Sequence, residues 1–86
     1  MASFLARVYV SLKPTVNDPQ GLTIADGLRS LGFREVEGVR TGKYLEVRVS
    51  AVTPEEAGSR VDAMCEKLLA NPIIENYRFD IEELVA

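Results

Sequence analysis

The sequence predicts one α+β domain of β-α-β-β-α-β order, with two helices on one face of a four-stranded antiparallel sheet. Three observations carry this expectation. Segments with apolar residues at every second position alternate with two segments whose apolar residues recur at three- and four-residue spacing. Each of the latter opens on a capping residue followed by proline, at Asp18-Pro19 and Thr53-Pro54. The chain has 86 residues, enough for one small core and too few for two, so residues 1–86 are read as a single domain.

The elements follow in order. From Phe4 to Leu12, Phe4, Ala6, Val8, Val10 and Leu12 share one side, opposite Leu5, Arg7, Tyr9 and Ser11, as in a half-buried strand. Lys13-Pro14 ends it, because proline donates nothing to a ladder. Asp18 caps the first helix, Pro19 opens it, and Ile24, Leu28 and Leu31 beside Ala25 form its apolar face. Gly32 supplies the left-handed residue that closes it. Phe33 to Arg40 reads as a weaker strand with a bend at Gly38, and Thr41-Gly42 as a tight turn. Tyr44 to Val49 is the strongest strand, with Leu45, Val47 and Val49 facing the core. Thr53 and Glu56 form a capping box for the second helix, whose apolar face is Ala57, Val61, Met64 and Leu68, flanked by Cys65 and Leu69. Asn71-Pro72 stops that helix, with Asn71 expected in a left-handed turn. Ile74 to Ile81 is the last strand, followed by a frayed tail from Glu82 to Ala86. Right-handed crossovers in both halves put both helices on one sheet face, a ferredoxin-like or related architecture.

The opposite face then carries Leu5, Arg7, Tyr9, Tyr44, Glu46, Arg48, Arg78 and Asp80. That mixture of aromatic stems and opposite charges is too apolar for plain solvent surface and too polar for a core. Self-association by stacked sheets is the expected use, with Leu5, Tyr9, Tyr44 and Arg48 as candidates for the homodimer face.

Composition excludes more than it assigns. A net charge of -3 argues against nucleic acid, whose phosphates are bound by clustered Lys and Arg. No uncharged stretch approaches the ~18 residues of a membrane span, and no leader-like segment precedes the first strand. One cysteine, Cys65, cannot form an internal disulfide, and the chain reads as cytoplasmic.

The residues for chemistry are scarce. The absence of histidine removes Ser-His and Cys-His nucleophile pairs and imidazole zinc ligands. Cys65 lies on an apolar helix side and reads as a small buried hydrophobe. Gly38 to Tyr44 is one residue short of a phosphate-binding loop, has Tyr44 where magnesium needs Ser or Thr, and precedes a strand where a helix is required. Arg40 and Lys43 are better read as a cationic hairpin tip facing an acidic partner. Glu55 and Glu56 suit a helix N-terminus, and Glu35, Glu37, Glu82 and Glu83 guard strand edges. An RNA-recognition module would place stacking aromatics such as Tyr9 and Tyr44 on a basic surface, which the acidic balance denies. The acylphosphatase variant needs an anion-binding arginine loop after the first strand, and Ser11 to Val16 does not supply it. Neither a cofactor nor a metal site is expected.

Several collinear stretches resemble the PurS family, the small subunit of formylglycinamide ribonucleotide amidotransferase. They are Val8 to Pro14, Asp18-Pro19-Gln20-Gly21, Leu31-Gly32-Phe33, Val39 to Tyr44, and Met64 to Tyr77. Thr15 departs from the small residue, often glycine, that this family carries after Lys-Pro, which touches only the local loop shape. The resemblance implies a homodimeric, non-catalytic adaptor. Such an adaptor joins a synthetase, PurL, which uses ATP and magnesium, to a glutaminase, PurQ, which releases ammonia from glutamine in de novo purine synthesis. The chain would thus be a subunit of an ATP- and glutamine-dependent ligase. The family's blocks fall on loops and helix ends, so Lys13, Asp18, Gln20, Arg40, Lys43 and Asn71 are the candidate partner contacts. An alternative of the same strand order is an ACT-type regulatory domain that binds a small molecule.

Overall fold

The computed structural model describes residues 1–85; Ala86, the end of the expected tail, lies outside them. The elements are β1 (Ala2–Leu12), α1 (Pro19–Ser30), β2 (Gly42–Ala51), α2 (Pro54–Met64), a π-helical turn (Cys65–Leu69) and β3 (Glu75–Leu84). The strands form one antiparallel sheet in the order β2-β1-β3. Register follows the alternation: Val8 lies between Leu45 and Phe79, and Ala6 between Val47 and Ile81. These inward rows meet α2, which lies across all three strands. Phe4, Ala6, Val8 and Val10 of β1 are buried with Ala57, Val61 and Cys65 of the helical layer. Small residues on α2 let the helix axis come close to the sheet, so even short side chains fill the gap. The last strand runs further than expected and takes in Glu82, Glu83 and Leu84.

Two expectations are corrected. Among the described residues the sheet has three strands, not four, because residues 33–40 pair with no strand. The carbonyls of that segment are drawn elsewhere: Arg29 donates to the carbonyls of Val36 (3.0 Å) and Glu37 (3.1 Å). A turn at Phe33–Val36, closed by a 3.3 Å hydrogen bond, further prevents extension. The second correction concerns α1. It caps as expected and ends at Gly32 (φ 104°), but it makes no sustained contact with the sheet. Of its length only Gly21 and Ala25 are buried, while Leu31 is 76% and Ile24 40% exposed. The helix with its return segment forms an arm, and the chain measures 52 × 30 × 14 Å.

The second helix departs from its expected face for a local reason. Five residues, Cys65–Leu69, wind as a π-turn, closed by the Ala70 amide on the Cys65 carbonyl at 3.0 Å. The extra residue per turn rotates everything beyond it. The buried series therefore runs Ala57, Val61, Cys65 and Ala70, and Leu68 turns outward to 83% exposure. Asn71 stops the helix without a left-handed backbone: its side chain accepts the Ile73 amide at 3.0 Å.

Phe4 is the largest side chain buried among Ala51, Ala57 and their half-buried neighbours. Phe4→Ala should cost about 3–5 kcal/mol in urea denaturation, most of what a domain this small possesses.

Candidate functional site

At the end of the sheet where β1 finishes, three loops are cross-linked by side chains. Asp18 is the centre. Its carboxylate is buried (4% exposed) and accepts the Gly21 amide (2.9 Å), the Thr41 amide (2.7 Å) and the Thr41 hydroxyl (3.0 Å). One side chain thus caps α1 and fixes the entry to β2, 23 residues away. The two backbone donors, Thr41 before Gly21, hold its pKa below the ordinary carboxylate value. Gly21 admits the close approach this requires, because a Cβ there would run into the Val39 carbonyl. Arg40 spans the adjoining gap and donates to the carbonyls of Lys13 (3.0 Å) and Val16 (2.8 Å). The Lys13 amide in turn donates to the Ile74 carbonyl at 2.8 Å, which brings the Asn71–Glu75 turn alongside.

Of the candidate partner contacts, Lys13, Asp18, Arg40 and Asn71 therefore belong to one loop cluster. Gln20 lies exposed in the first turn of α1. Lys43 stands apart from Arg40: it is paired with Val10 in the sheet register, so it falls on the helix side and is exposed. The anticipated cationic tip is thereby divided, and only Lys43 is free of a structural duty within this cluster.

The face of the sheet away from α2 is open. Its residues form three rows across the strands, in the order β2, β1, β3. They are Tyr44, Tyr9 and Arg78; Glu46, Arg7 and Asp80; and Arg48, Leu5 and Glu82. Tyr9 and Tyr44 have ring centroids 5.2 Å apart, and Arg78 sits 3.9 Å above the Tyr9 ring. Arg7 reaches diagonally to Glu82 at 2.8 Å. The Tyr44 hydroxyl donates to Glu46 at 2.8 Å, which raises the tyrosine pKa. The four homodimer-face candidates, Leu5, Tyr9, Tyr44 and Arg48, all lie here. A surface whose rings and charges already hold one another is preorganised for protein contact, since little side-chain freedom remains to be lost.

Neither region is arranged for bond-making chemistry. Cys65 is fully buried, and burial pushes its thiol pKa up, away from the reactive thiolate. The Tyr77 hydroxyl donates to Asp62 (2.6 Å) and Glu66 (2.7 Å), so its pKa rises well above the phenolic value and it remains a neutral donor. Among the described residues no group of three or more Cys, Asp or Glu could hold a metal ion. No helix is long and apolar enough to cross a membrane.

Residues 5–83 match the family model of PurS, phosphoribosylformylglycinamidine (FGAM) synthase. The chain belongs to the PurS family. It is 46% identical to the PurS subunit of Bacillus subtilis phosphoribosylformylglycinamidine synthase, over 96% of this chain and 98% of that one. The PurS subunit from Synechocystis is 45% identical, over 95% of this chain and 82% of the relative. Two solved structures share the fold. Methanocaldococcus jannaschii PurS superposes with a TM-score of 0.84 at 36% identity, covering 95% of this chain and 99% of that one. A chain of PurLQS from Thermotoga maritima gives 0.84 at 36% identity, covering 98% and 100%.

Sequence reasoning missed the structural work of Thr41, Arg29 and Gly21 in this PurS-family chain. Thr41 reads as an ordinary turn residue, and Arg29 as a cation placed to suit a helix C-terminus. Only Gly21 carried a signal, since glycine two residues into a helix is costly without a reason.

The Asp18 contribution to stability is complete above the unfolded carboxylate pKa of about 3.9 and fades as pH falls through the lower folded value. Thermal stability should therefore decline as pH drops below about 4, and Asp18→Asn should lower it at pH 7 while flattening that decline. Melting curves across the range would check both.

Proposed function

We propose that this chain is the non-catalytic adaptor subunit of the formylglycinamide ribonucleotide amidotransferase complex. It joins the ATP-dependent synthetase PurL to the glutaminase PurQ in de novo purine synthesis and supports ammonia transfer between them. The similarity to a chain of the Thermotoga maritima PurLQS structure, over nearly the full length of both, carries this reading. Its site is cytoplasmic, and it takes no cofactor itself; ATP and magnesium act in the synthetase.

The physical logic is proximity. Ammonia released into water is protonated and lost, whereas two sites held in one enclosed assembly keep it unprotonated and close to its acceptor. A subunit that contributes to this needs surfaces rather than reacting groups. The loop cluster around Asp18 and the open face with Tyr9 and Tyr44 supply two rigid ones on different sides of the chain. The strand order β2-β1-β3 supports the reading of the fold as an opened relative of the ferredoxin-like sheet, short of its second strand. The family match over residues 5–83 takes precedence over the amino-acid-sensing alternative.

Reconstitution tests the proposal. Glutamine-dependent amidine formation by PurL and PurQ should require this chain, while ammonia-dependent synthesis by PurL should depend on it less. Full glutamine-dependent activity without it would overturn the reading. Lys43→Glu should weaken the three-subunit assembly in gel filtration several-fold, with an unchanged circular dichroism spectrum. Arg40→Glu should perturb the spectrum as well, because it breaks the bonds to Lys13 and Val16.

A further inference from the structure

One helix of this chain shows its apolar face to solvent, and one groove of the same chain lacks an occupant. The face belongs to the arm: Leu22 (58% exposed), Ile24 (40%), Leu31 (76%) and Phe33 (48%). The groove, about 320 Å³, runs between β2 and the outer side of α2 with its π-turn. It is lined by Val47, Ala63, Met64, Leu68 and Leu69, with Arg60 and Lys67 beside them.

Size identifies the occupant as another copy. The chain exposes 6151 Å², whereas a compact monomer of 9.5 kDa is expected to expose about 5,000 Å². The excess, roughly 1,100 Å², matches the ~800 Å² that each partner covers in a stable association. The radius of gyration agrees: 16.8 Å against about 12 Å for a compact chain of this length. Charge agrees too, since Glu35 and Glu37 follow Phe33 on the arm and Arg60 and Lys67 border the groove. Arm and groove on one chain make the contact reciprocal, so it closes at two copies.

We propose that α1 and the Leu31–Phe33 turn of each copy seat in the β2–α2 groove of a second copy, in a two-fold exchange of arms. This deepens the adaptor reading and rests on it only for its biological setting. It moves self-association away from Leu5, Tyr9, Tyr44 and Arg48, and leaves that open face to the other subunits.

The test uses two variants at exposed positions, Leu31→Asp on the arm and Leu68→Lys in the groove, with circular dichroism to confirm that each folds. Sedimentation of the wild-type chain should show a dimer, and either variant alone should dissociate at least tenfold more readily. An equimolar mixture should restore it. There the arm bearing Leu31→Asp meets the groove bearing Leu68→Lys, so opposite charges face each other, and the second arm and groove are both wild type. Variants that remain as tightly dimeric as wild type would overturn the proposal, as would a mixture that stays dissociated. A monomeric wild-type chain whose Leu31→Asp variant loses PurL or PurQ instead would assign the arm to another subunit and also overturn it. The reconstitution above judges the adaptor reading separately from each of these outcomes.

Discussion

The buried carboxylate of Asp18 is the interaction on which the shape of this protein depends. A charge withdrawn from water is tolerated only where donors replace the water, and here two amides and one hydroxyl do so. Because one donor belongs to the first turn of α1 and the others to the residue before β2, the start of the arm and the end of its return are fixed at one point. Arg40 anchors the same return to the loop after β1. The intervening residues are left to fold against α1 rather than along the sheet. The arm, the three-stranded sheet and the open groove are consequences of that choice.

A sheet covered by a single helix has two faces and an edge still to place. That is a poor plan for an enzyme of this size, which would need its few polar groups gathered in an enclosed pocket. It suits a subunit. The polar groups that are present satisfy one another: Arg7 with Glu82, Tyr77 with Asp62 and Glu66, Tyr44 with Glu46. Such pairs are worth little individually at the surface, yet they fix side chains in place before any partner arrives. Membership of the PurS family agrees with this economy.

What was legible in the sequence was local or periodic. The alternation in β1 and β2 set both sheet faces, down to which residues stand opposite Tyr9. Both helix starts, the Gly32 stop and the burial of Cys65 followed from short-range rules. Long-range choices were not legible. Nothing in the pattern of Phe33 to Arg40 shows that Arg29 would bind its carbonyls, or that Thr41 would serve Asp18. The apolar stripe of α1 said that the helix would be covered, but a stripe does not name what covers it. The π-turn is a third case: a helical repeat is blind to one inserted residue, so Leu68 was placed inward when it faces out.

Amide hydrogen exchange of residues 33–41 in the isolated chain tests the central claim most directly. The Thr41 amide, bonded to buried Asp18, should exchange slowly, while the amides of Glu35, Glu37 and Gly38 exchange rapidly. Alternating strong protection through residues 33–40, as in a strand paired with β2, would contradict this account.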